Sequence, residues 1–104
     1  MGKRPYSYEF PPLALDDLRG ILDYITIELS SPSAAEKLID KMQVAVENLC
    51  EFPFSHPLIS DAVLSNKGYR LLVVDNFHLF YVVCENKVIV RRVLYGRRKF
   101  EWLL

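Results

Sequence analysis

The sequence predicts an α+β domain in the order β-α-α-β-β-β, with a helical hairpin packed on one face of a twisted antiparallel sheet. Three observations carry that prediction. Two stretches before residue 52 repeat apolar residues at helical spacing. Three stretches after residue 68 are β-branched and aromatic, and two-residue turn pairs separate them. The 104 residues, 51% hydrophobic and 25% charged, suit a single domain spanning 1–104 with its own core.

Tyr6 to Phe10 reads as a short strand stopped by Pro11-Pro12. From Leu13 the pattern turns helical: Leu18, Ile21, Leu22, Ile25 and Leu29 recur on one side. Asp16, Asp17, Asp23 and Glu28 fall mostly on the other. Gly20 weakens this helix by roughly 1 kcal/mol relative to Ala. It either lets a neighbouring element come close or is a harmless solvent-facing glycine. Ser30-Ser31-Pro32-Ser33 ends the first helix, and Ser33 with Glu36 reads as a capping box opening the second. Ala35, Leu38, Ile39, Met42, Val46 and Leu49 mark its buried stripe, which ends near Glu51. A four-residue break between two such helices predicts an antiparallel pair.

Phe52 to Lys67, with Pro53 and Pro57, reads as irregular. Strands come next at Tyr69–Val74, Phe77–Cys84 and Lys87–Tyr95. Asp75-Asn76 and Glu85-Asn86 suit two-residue hairpin turns, because Asn and, less readily, Asp accept positive φ. With turns of that length Arg70 faces Tyr81, and Val83 faces Val88. One face then carries Leu72, Val74, Leu79, Tyr81, Val88 and Val90, and continues through Arg92 and Leu94. The other carries Tyr69, His78, Phe80, Lys87, Arg91 and Tyr95. The helices are expected on the first, more uniformly apolar face. The second interleaves cations with rings, the chemistry that binds phosphate and stacks bases, or else it is simply a solvated sheet face.

The charges are segregated. Residues 1–66 hold five Lys/Arg against ten Asp/Glu, a net of −5; residues 67–104 hold eight against three, a net of +5. Either the second half meets a polyanion or an acidic partner that mimics one, or the two halves attract each other within one fold. No apolar run approaches the ~20 residues of a membrane-spanning helix. No apolar stretch comes after the basic start as a secretory signal would require. Cys50 and Cys84 lack metal-ligand spacing and are expected to be small buried apolar residues in a reducing cytoplasm. No cofactor site or phosphate loop is expected.

The strings Gly68-Tyr69-Arg70-Leu71, Asn76-Phe77-His78-Leu79-Phe80-Tyr81 and Arg91-Arg92-Val93-Leu94-Tyr95-Gly96-Arg97-Arg98, in this element order, resemble the RelE/ParE superfamily. The run from Asp17 to Ile25 and the Phe52-Pro53 break fit as well. These are toxins of bacterial type II toxin–antitoxin modules, neutralised by a cognate antitoxin. The resemblance implies one of two targets. RelE-like members cleave mRNA in the ribosomal A site with a basic and aromatic cluster on the open sheet face. ParE-like members poison DNA gyrase and lack that cluster. On the RelE pattern His78 and Arg98 fall at the two catalytic arginine positions. The two lysine positions fall at Tyr69 and Leu71, and the terminal tyrosine near Leu104.

Cleavage by 2′-OH attack needs a base, a cation for the phosphorane and an acid. His78 and Arg98 are the expected catalytic pair of a metal-free reaction. Tyr69, Arg70, Arg91, Tyr95, Arg97 and Lys99 are expected to bind the nucleic acid. The bland readings are a strand histidine with one satisfied hydrogen bond, sheet-packing tyrosines and a solvated basic terminus. His56 reads as a loop residue and Trp102 as a packing residue. Ribosome-dependent cleavage is the leading expectation. A gyrase inhibitor and an inactive relic that only binds its partner are the alternatives.

Overall fold

Proline and glycine punctuation places the elements close to where the periodicity changes. The structure, a computed structural model, describes residues 5–96. β1 (Ser7–Glu9) leads into α1 (Pro12–Asp23), which runs on as a π-helical turn over Tyr24–Glu28. α2 (Pro32–Glu51) returns antiparallel to it. A connection holding α3 (Ala62–Asn66) then reaches β2 (Arg70–Val74), β3 (Phe77–Cys84) and β4 (Lys87–Tyr95). Pro12 and Pro32 each occupy a helix's first turn, where the missing N–H costs nothing.

The strand order is β1-β4-β3-β2. Both hairpins are antiparallel with two-residue turns at Asp75-Asn76 and Glu85-Asn86. Asp75, Glu85 and Asn86 take φ of 53°, 49° and 64°, the positive values such turns demand. β1 instead pairs parallel with β4, through Ser7–Lys87, Tyr8–Val88 and Glu9–Ile89, so the sheet is mixed.

The helical hairpin covers one face, as expected. Leu38, Met42, Val46 and Leu49 of α2 pack with Leu72, Val74, Leu79, Tyr81, Val88, Val90 and Val93. Leu18, Ile21, Leu22 and Ile25 add the α1 side, half-buried. Leu29 departs from its expected place in the stripe and is 57% exposed. The π turn adds a residue per turn there and rotates the residues after it away from the sheet.

The second helix starts at Pro32, with Ser31 as its cap residue, and no side-chain cap bond forms. The expected capping box of Ser33 and Glu36 is therefore not made, because Pro32 starts the first turn two residues earlier. The irregular stretch contains α3, whose first turn is capped by Asp61 accepting from Leu64 N–H at 3.0 Å. Cys50 is buried and Cys84, at the end of β3, is exposed, contrary to expectation for the second.

The register holds as far as Tyr81–Val90 and then slips. Phe80 pairs with Arg92, so Arg91 is a surplus residue in a β-bulge. Beyond it Val93 and Tyr95 turn to the helix face, and Arg92 and Leu94 to the other. This reverses the expected facing of Arg92 through Tyr95, while the exposed Arg91 sits at the irregularity itself.

Candidate functional site

The face opposite the helices is not an open platform. Tyr69 (5% exposed) and Phe80 (fully buried) pack with Leu64 of α3 and Leu94 of β4, and Ile59, Leu71 and Val82 surround them. The expected nucleic-acid contact Tyr69 is thus a packing residue in this arrangement. Its backbone also serves: its C=O accepts from Ile59 N–H and its N–H donates to Leu64 C=O, each at 3.0 Å, docking the connection on β2.

His78 projects from the same face and is half-buried beside Phe80, ring centroids 6.1 Å apart. Its Nδ1 is enclosed, with no hydrogen-bond partner among the described residues. Its Nε2 edge lies against Gly96, where a Cβ would come within 2.6 Å of Nε2 and 3.2 Å of Asn76 C=O. Any side chain at 96 would have to push the imidazole aside. The sequence brings these together because Gly96 N–H donates to Asn76 C=O at 2.9 Å, closing the ladder around the His78–Leu94 pair.

Tyr95 lies on the other face. Its ring meets Phe77 edge-on at 5.9 Å, on the helix side of the sheet. His78 and Tyr95, expected together, are therefore separated by the sheet, because the bulge reverses the facing of β4 after Arg91. Arg70 is occupied in holding the connection. Its Nη1 donates to His56 C=O at 2.6 Å and its guanidinium lies 5.0 Å from the Phe54 ring. Beside it Tyr81 OH donates to Pro53 C=O at 3.0 Å. Burial pushes the Tyr81 phenol above its ordinary range, against the opposing pull of Arg70. Arg91 is exposed on β4. Arg97, Arg98 and Lys99 lie outside the described residues.

The constellation the sequence did not announce is on α1. Asp17 takes Arg92 in a two-point grip, from Nε at 2.6 Å and Nη2 at 2.9 Å, and also accepts from Val93 N–H at 3.0 Å. Both side chains are 13% exposed. The Asp17 hydrogen bonds hold the Arg92 guanidinium above its ordinary value, outweighing its burial. The available signal was an acid directly before the stripe residue Leu18.

Past this grip a groove of about 820 Å³ opens between α1 with its π turn and the ends of β3 and β4. Gly20, Ile21, Tyr24 and Ile25 form one wall, and Phe77, Val93 and Tyr95 another. Tyr24 and Tyr95 stay 51% and 41% exposed at its rim. Of the expected site residues among those described, only Tyr95 lines it. The groove is mostly apolar, and among the described residues it holds no cluster of acid, base and cation. Among the described residues there is no group of metal-ligating side chains.

The profile of the ParE toxin of type II toxin–antitoxin systems, parDE, matches residues 8–100. The solved structure titled "Chromosomal ParDE TA system from P. aeruginosa" superposes with a TM-score of 0.70 at 18% identity. That match covers 89% of this chain and 98% of the other. No curated protein matches the chain in sequence.

Proposed function

The chain belongs to the ParE toxin family of type II toxin–antitoxin systems, and from that premise we propose that it arrests growth by binding a target protein, not by cutting RNA. The proposed target is DNA gyrase, the target that resemblance to the ParE branch implies, and a cognate antitoxin releases the arrest. Its place of action is the cytoplasm; no described helix is long and apolar enough to cross a membrane. The observation that carries this reading is the dispersal of the expected cluster. His78 sits under Gly96, Tyr69 is packed inside, and Tyr95 is on the far face. A nucleic-acid platform needs its rings and imidazole on one exposed side, and these three do not share one.

The rival is ribosome-dependent mRNA cleavage by His78 and Arg98, with Arg91, Arg97 and Lys99 on the phosphates. Purified protein added to translating ribosomes, and separately to gyrase with supercoiled DNA, discriminates the two. We expect stalled gyrase–DNA cleavage complexes with intact message, and His78→Ala to keep its toxicity when expressed. Cuts in A-site codons, abolished by His78→Ala, would sink the binding reading. Neither effect, with no growth arrest, would leave an inactive antitoxin-binding relic.

A further inference from the structure

α2 ends on an arrangement that works against it. Glu51 is its last residue, where the aligned peptide dipoles leave negative potential, and no cation sits in the last turn. No ion pair or side-chain hydrogen bond reaches Glu51 among the described residues. Directly after it Phe52 and Phe54 stand 66% and 59% exposed. They are nonetheless held in place. Ser55 N–H donates to Phe52 C=O at 3.1 Å, closing a turn. Tyr81 fixes Pro53, and Arg70 fixes His56, through their carbonyl oxygens. The rings are thus displayed on a preorganised turn, which spares a partner the cost of ordering them.

Around them lies a hollow of about 350 Å³ lined by Glu51, Phe52, Pro53, Phe54 and Ser55. It shares no residue with the groove along α1 and has less than half its volume. That suits one long side chain, not a chain segment. Arg70 already shows what a ring here accepts. It sets its guanidinium 5.0 Å from the Phe54 ring centre while its Nη1 donates to an oxygen, His56 C=O. Phe52 has no ring or cation partner among the described residues, and its neighbour Glu51 offers the oxygen. A guanidinium suits this pair better than an ammonium, being flat and weakly hydrated. The wider field points the same way: residues 12–51 hold eight Asp/Glu against three Lys/Arg, a net of −5.

We propose that the hollow at the end of α2 receives an arginine side chain of the target protein, its guanidinium stacked on Phe52 and hydrogen-bonded to Glu51. An enzyme that handles DNA carries Lys and Arg where it meets the phosphates, so a receptor for one such side chain is a direct way to engage it. This assignment rests on the reading of the target as DNA gyrase.

The test is the formation of gyrase–DNA cleavage complexes by the full chain. Phe52→Ala and Glu51→Lys should each raise the toxin concentration needed about tenfold. Both should melt no lower than wild type, because the two side chains are exposed. Phe52→Leu should lose as much as Phe52→Ala, whereas Phe52→Trp keeps a ring face and should act as wild type. Glu51→Gln should flatten the dependence of potency on salt. Wild-type potency in Phe52→Ala, Phe52→Leu or Glu51→Lys, or an unchanged salt dependence in Glu51→Gln, would overturn the arginine assignment alone. Absence of cleavage complexes with the wild-type chain would remove the functional reading and this inference with it. Full potency toward gyrase in these variants, with lost binding of the antitoxin encoded beside the chain, would give the hollow to that antitoxin and overturn the assignment.

Discussion

Both faces of the sheet bury residues completely, but by different means. On one, two long helices lay a regular stripe across β2, β3 and β4, and Leu79 is fully buried among eleven core residues. On the other, a proline-rich connection and the five-residue α3 cover Phe80, which is just as completely buried. The first cover follows from helical periodicity and holds itself together by area. The second depends on a few polar ties: Tyr69 to Ile59 and Leu64 on that face, with Arg70 to His56 and Tyr81 to Pro53 anchoring the start of the same connection from the helix side. An irregular segment can seal a core when its backbone groups are individually satisfied.

The largest expected effect tests whether that second seal is real. Phe80→Ala should cost about 3–5 kcal/mol, at least as much as Leu79→Ala at about 2–5 kcal/mol, in urea unfolding. A cost for Phe80→Ala below that of an exposed substitution would mean the connection does not persist over the sheet. Next is the grip at the sheet edge. Asp17→Ala strands a mostly buried guanidinium and the Val93 N–H, and should cost about 3 kcal/mol, with Asp17→Asn recovering part of it. An effect within experimental error would show that the pair is no more than a surface contact.

The smallest concerns one tie of the irregular cover. Tyr81→Phe should lose about 1 kcal/mol near neutral pH, the worth of one buried hydrogen bond. Because burial raises the folded phenol above its unfolded value, its contribution is fully present below about pH 10 and is lost as pH climbs through the folded value. The wild type should therefore weaken in alkaline solution more steeply than Tyr81→Phe. Parallel alkaline profiles for the two proteins would refute this.

These contrasts also mark what was legible beforehand. Helical spacing located α1 and α2, and the Asp75-Asn76 and Glu85-Asn86 pairs fixed both hairpins and their register up to Tyr81–Val90. The bulge at Arg91 was illegible because no Gly or Pro marks it; it shows only in pairing across strands. A three-residue β1 carries no sign of whether it will run parallel. The sealing of the second face was missed because Ile59 and Leu64 are scattered among Ser, Pro and Asp, without a period to read. Composition suggested a ring-and-cation platform. Which rings share a side depends on register, and one surplus residue moved Tyr95 away from His78. The basic residues Arg97, Arg98 and Lys99 lie outside the described residues.

Strand geometry counts in odd and even numbers, and Arg91 changes the parity of everything after it. Taking Arg91 into the ladder opposite Phe80 would do what no single substitution can. It would carry the Tyr95 phenol across to the imidazole's face, turn Arg92 in toward Leu79, and leave Asp17 facing the wrong side chain. The register of this strand, more than the identity of any residue on it, decides which chemistry each surface of the molecule displays.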